Sequence, residues 1–208
     1  RLFEAERTLR DRLAFLSEAG ELLSSSLDYE QTLARLAEIA VPLLADWCAV
    51  DMLSEDGTRI ERLAVAHQDP ALVAYARELG ERYPPSVDDP FGVPKALRTC
   101  EPELLADIPD ELLEAASDGD AEFLRLLREL DLRSAIIAPL VVRDRALGAV
   151  SLVRSGPTRA YTPADLELAV ELARRAAGLV DRARLHRETQ RLANAARALE
   201  HVAEAVVL

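Results

Sequence analysis

The chain has 208 residues, half of them apolar and under a third charged, which is enough to bury a core of domain size. Its formal net charge of -12 excludes a nucleic-acid binder, which needs a basic face against phosphate, and opposes docking on an anionic membrane. No apolar run reaches the ~18 residues of a bilayer span, so no direct membrane insertion is expected.

Residues 1–27 read as a helix. Leu2, Leu9, Leu16 and Leu23 recur every seven residues, and Leu13 and Leu27 add an interleaved set broken at Gly20. That is a heptad seam, the pattern of a helix facing a partner helix. Asp28 is placed to cap a second helix over 29–44, with Leu33, Leu36, Ala37, Ala40, Leu43 and Leu44 on the helical period. Residues 47–53 are apolar at almost every position and predict a strand buried on both faces. Asp56-Gly57 supplies hairpin chemistry, and 59–67 return as a strand with Leu63, Val65 and His67 expected on one face.

Asp69-Pro70 opens a helix over 69–81. Residues 83–92, rich in Pro and Asp, predict a long loop of the kind that carries function. A short helix over 93–98, a brief strand at 103–105 and helices over 110–116 and 120–130 follow. Strands over 134–142 and 146–153, rich in Val, Ile, Leu and Ala, are joined by a tight turn. Thr162-Pro163-Ala164-Asp165 gives a cap threonine, a first-turn proline and a carboxylate at the start of a helix that runs past 190. Along it Leu185, Leu192, Leu199 and Val206 repeat at seven, a second heptad seam. The order predicts an α+β domain, one antiparallel sheet with helices packed around it and long terminal helices. The chain begins at Arg1 and ends in an apolar run, so it is expected to be a piece of a longer protein.

The search for chemistry returns little. There is no phosphate-binding glycine loop, no metalloprotease motif and no nucleophile elbow. Cys48 and Cys100 lie far apart with no metal-ligand or redox spacing, as expected of reduced thiols in the cytoplasm. His186 and His201 lie on the last helix but lack the acidic residue and the proline that follow a histidine-kinase phosphoacceptor. Asp88-Asp89 and Asp118-Gly119-Asp120 lack calcium-loop spacing and read as turn and cap residues. No catalytic residue, metal ligand or cofactor is assigned.

Several strings in order resemble the GAF domain family. Arg133 to Val142 (Arg-Ser-Ala-Ile-Ile-Ala-Pro-Leu-Val-Val), a turn and Ala146 to Val153 match a strand ending in Pro139-Leu140 followed by a strand centred on Gly148. Tyr161-Thr162-Pro163-Ala164-Asp165-Leu166 is similar to the family's entry into its last helix. Leu97-Arg98-Thr99-Cys100-Glu101-Pro102 is similar to the lead into the short third strand, with Cys100 where glycine is common. Ala45-Asp46-Trp47-Cys48-Ala49-Val50 resembles the first strand of GAF domains fused to bacterial kinases and phosphatases.

The resemblance implies a sheet of about six strands and a non-catalytic sensory and dimerisation domain over 28–184. An N-terminal signalling helix over 1–27 and a C-terminal linker helix over 185–208 would flank it. Residues 198–208 are similar to the opening of a PAS domain. The implied output is a sensor histidine kinase, or alternatively a SpoIIE-like serine phosphatase; a ligand-free structural adaptor is the third reading. The cyclic-nucleotide signature is absent, since Val153-Arg154, Tyr161 and Leu166 replace its residues. Neither cysteine has a bilin-attachment context, and only His67 could serve as a haem ligand. The candidate ligand-binding residues are His67, Tyr83, Phe91 and Cys100, and the ligand is an unidentified small molecule. A homodimer is expected through Leu2, Leu9, Leu13, Leu16, Leu23, Leu185, Leu192 and Leu199.

Overall fold

Five strands, paired antiparallel throughout, form one sheet, and a computed structural model describes residues 14–23 and 28–206 of the chain. In chain order the elements are α1 (14–23), α2 (Tyr29–Leu44), β1 (Trp47–Leu53), β2 (Ile60–His67), α3 (Pro70–Arg82), α4 (Gly92–Thr99), β3 (Glu103–Leu105), α5 (Asp110–Ala116), α6 (Ala121–Glu129), β4 (Leu132–Val142), β5 (Arg145–Ser155) and α7 (Pro163–Val206). The sheet order is β2-β1-β5-β4-β3. The described residues thus carry five strands where about six were expected.

Four helix starts have a local side-chain cap. Asp28 accepts a hydrogen bond from the Gln31 amide at 3.2 Å, Asp69 from Ala71 at 2.9 Å, and Asp120 from Glu122 and Phe123, each satisfying first-turn donors. At α7, Thr162 and Asp165 bond reciprocally: the Thr162 amide donates to Asp165 at 2.8 Å and the Asp165 amide to Thr162 Oγ1 at 3.4 Å.

The strands are apolar at nearly every position because both faces of the sheet are covered. Cys48, Val50, Met52, Ile136, Leu140, Val150 and Leu152 face α1, α2 and α7 and form the main core. The opposite face looks toward α3, α4 and α6. Pro139 sits inside a central strand at a register shift between Pro139 and Val141, where no ladder donor is required of it.

One expectation is corrected. A register shift opposite Val50 and Asp51 makes Leu63 an extra residue in β2. Leu63 therefore packs against the main core while Val65 lies on the opposite face, and the simple alternation fails. In α1, Phe15, Ala19 and Leu23 are buried in the chain's own core and Leu16 packs beside them. The described part of the first seam thus packs within the chain. Leu2, Leu9 and Leu13 lie outside the described residues, and Leu199 is described only as helical backbone.

Beyond the core, α7 keeps going. Among its described side chains Ala183 is the last buried one, and 185–198 are exposed all round, with Leu185 and Leu192 at 51% and 63%.

Candidate functional site

A cavity of about 370 Å³ lies on the sheet face opposite α2 and α7. Its floor is the inward-facing set of the central strands, including Trp47, Ala49 and Asp51 of β1, Ala135 and Ile137 of β4, and Ser151 and Val153 of β5. Ala76, Leu79 and Gly80 of α3, the segment Tyr83-Pro84-Pro85, and Phe123 and Leu127 of α6 close over it. Small residues on the floor leave the space that larger ones on the main-core face fill.

Tyr83 and Phe123 stack at 4.2 Å with planes 9° apart, joining the loop after α3 to α6. An Arg82–Glu122 ion pair at 2.7 Å ties the same two elements at the surface. Together they form the rim.

Asp51 and Arg62 are cross-strand partners. Arg62 Nε donates to Asp51 Oδ1 at 2.9 Å and Nη2 to Oδ2 at 3.2 Å. Asp51 is 1% exposed, so its charge needs this fork. Burial works against the Arg62 cation, and the Asp51 carboxylate more than offsets it, holding the guanidinium above its usual pKa. Among the described residues these two are the only charged ones lining the cavity. Two further polar groups belong to its wall. Trp47 Nε1 is buried and has no hydrogen-bond partner among the described residues. Ser151 is buried as a residue, and its hydroxyl makes no side-chain hydrogen bond among them.

Of the four residues expected around a ligand, Tyr83 lines the cavity. His67 stands behind it, its ring 4.3 Å from that of Trp47 and its Nδ1 accepting the Asp69 amide at 2.9 Å. Phe91 caps α4 and Cys100 ends it in a left-handed conformation, φ 56°; neither is among the lining residues. Sequence reading passed over Asp51, Arg62, Phe123 and Ser151. A lone acid in the apolar run Trp-Cys-Ala-Val-Asp-Met-Leu and a lone serine in Ala-Val-Ser-Leu-Val were the available signals, since a polar residue on a doubly covered strand needs a reason.

No histidine, cysteine or lysine lines the cavity. Cys48 faces the other side of the sheet, where burial and then the Asp51 charge push its thiol up to about 12. Among the described residues no three His, Cys, Asp or Glu gather as metal ligands would. The lining offers binding: a concave apolar space with a few fixed polar groups.

An antiparallel sheet covered on both faces, with a cavity on one, defines an α+β domain. The chain belongs to the GAF domain family, whose model matches residues 28–180. Members of this family are generally non-catalytic. The fold is similar to that of the GAF domain from a Coxiella burnetii phosphoenolpyruvate-protein phosphotransferase, at 16% identity and a TM-score of 0.61 over 85% of this chain and 96% of that one. It is also similar to a domain of a putative two-component sensor histidine kinase protein from Sinorhizobium meliloti 1021 (16% identity, TM-score 0.52, 77% and 96% covered). A third likeness is to free methionine-R-sulfoxide reductase from Neisseria meningitidis in complex with its substrate (12%, 0.60, 84% and 91%). No curated protein matches the chain. Among the described residues no helix is long and apolar enough to cross a membrane.

Proposed function

We propose that this chain is the ligand-sensing and dimerising module of a cytoplasmic sensor histidine kinase. The cavity carries the reading: 370 Å³ walled by one sheet face and three segments of covering chain is a receptor for a small molecule. Relay is assigned to α7, whose first half packs on the sheet and whose second half projects from it. The domain proper spans 28–184, flanked by the signalling helix 1–27 and the linker 185–208, which leads into a PAS-like module. A SpoIIE-like serine phosphatase is the alternative output, because the residues of β1 resemble GAF domains fused to either enzyme.

The reading predicts that at least one member of a set of common metabolites raises the melting temperature of the purified chain. Ala49→Phe, which fills the floor of the cavity, abolishes that rise while leaving a cooperative melt. A wild-type chain that responds to none, and that carries no molecule through native mass spectrometry, is the ligand-free adaptor instead.

A further inference from the structure

We infer that the ligand of this cavity is an uncharged, flat, largely apolar molecule bearing an amide or carbonyl group, and that ions of either sign are excluded. The inference rests on the cavity being the binding site proposed above.

The charge argument comes from Asp51 and Arg62. Among the described residues they are the only charged ones on the cavity wall, and two hydrogen bonds join them side by side into a pair of zero net charge. An anion entering would find its one available cation already neutralised by a buried carboxylate. A cation would meet the same carboxylate already held by a guanidinium. Against an apolar wall an ion without a free partner gives up water that nothing replaces. A neutral ligand meets neither penalty.

Shape and polarity come from the rest of the wall. Trp47, Tyr83 and Phe123 present aromatic surface, which favours stacking on a flat partner. The volume lies near the lower end of small-molecule sites, so one or two rings fit. On the floor, Ser151 is a buried residue that lines the cavity, and its hydroxyl makes no side-chain hydrogen bond among the described residues. It pairs with Ala49 across the ladder while Asp51 pairs with Ala149, which makes Ser151 and Asp51 diagonal neighbours on one face. A primary amide spans such a pair: its carbonyl accepts from Ser151 and its N–H donates to a remaining lone pair of Asp51.

The test uses three probes of one size: benzamide, benzoate and benzylammonium at neutral pH. Trp47 is the chain's single tryptophan, so one indole N–H signal in a proton–nitrogen correlation spectrum reports on the cavity. Benzamide should move that signal saturably and bind at least about tenfold more tightly than either ion. Ser151→Ala should weaken benzamide about fivefold. Asp51→Asn, which leaves the Arg62 charge uncompensated, should shift preference toward benzoate; if that variant does not fold, the wild-type ratio decides. Benzoate or benzylammonium binding as tightly as benzamide to the wild type overturns the ligand class while leaving the cavity reading intact, because the Trp47 signal has moved. A Trp47 signal that none of the three moves at tens of millimolar overturns the cavity reading and the class with it.

Discussion

Gly148 shows how a single residue can be fixed by its neighbours. It pairs with Met52 where β5 passes β1, and a Cβ there would stand 2.5 Å from the Asp51 carbonyl oxygen and 2.7 Å from Met52 Sδ. Backbone cannot yield as a side-chain tip can. Gly148→Ala is therefore expected to cost about 1–3 kcal/mol, read as a lower urea midpoint with unchanged m-value. Cys48 gives a second test. Its thiol is raised from 9.0 to about 12 by burial and by Asp51. The unfolded chain then releases this proton first, so the stabilisation is complete below pH 9 and is lost as pH rises toward 12. Stability should fall by up to about 1.4 kcal/mol per pH unit in that window, and Cys48→Ala should remove that slope in urea titrations from pH 8 to 11. The residues of the cavity were the least legible part of the sequence. Asp51 and Arg62 are eleven positions apart, and only the β1–β2 register, shifted by the bulge at Leu63, brings them opposite. Spacing alone cannot reveal a partner that a bulge selects.

At the scale of elements the sequence was more informative, because caps and turns are local chemistry. Asp28, Asp69, Asp120 and Thr162-Asp165 all cap where hydrogen-bonding side chains precede a helical period. The β4–β5 turn is legible and suboptimal. Arg143 and Asp144 hold φ of 49° and 63°, with Val142 and Arg145 paired across them. Both positions want residues tolerant of positive φ. Arg143→Asn with Asp144→Gly should stabilise the fold by about 1 kcal/mol and raise its Tm by a few degrees, checked by calorimetry. The described part of the first seam, 14–23, faces its own domain, and the sequence could not have told this from a partner-facing seam. Over ten residues a repeat of 3.5 and one of 3.6 cannot be told apart. Phe15, Ala19 and Leu23 therefore pack on their own domain, where a partner helix also could have stood.

Across the whole molecule the asymmetry lies in α7. Up to Ala183 it is core; from 185 to 198 it is solvent-exposed, and an isolated helical stretch of that length is marginal in water. Leu185 and Leu192, seven apart and more than half exposed, are what a second copy would cover. The wild-type chain is expected to sediment as a dimer at tens of micromolar, and Leu185→Glu with Leu192→Glu as a monomer of unchanged melting temperature. A monomeric wild type at several hundred micromolar removes dimerisation from the proposal.

The start of that helix is held by a clasp. Tyr161 donates its hydroxyl proton to the Leu44 carbonyl at 3.0 Å and its amide to Ser134 Oγ at 3.0 Å. Arg154 covers the Tyr161 ring at 4.1 Å and also reaches the Arg159 carbonyl. The end of α2, both long strands and the head of α7 therefore meet at one ring. From there the helix runs 44 residues, about 65 Å, with no proline after Pro163. A shaft without a joint conveys angle as faithfully as position. With 185–198 steadied by a second copy, a few degrees of roll imposed at Tyr161 would turn the bearing of Leu185 and Leu192 together.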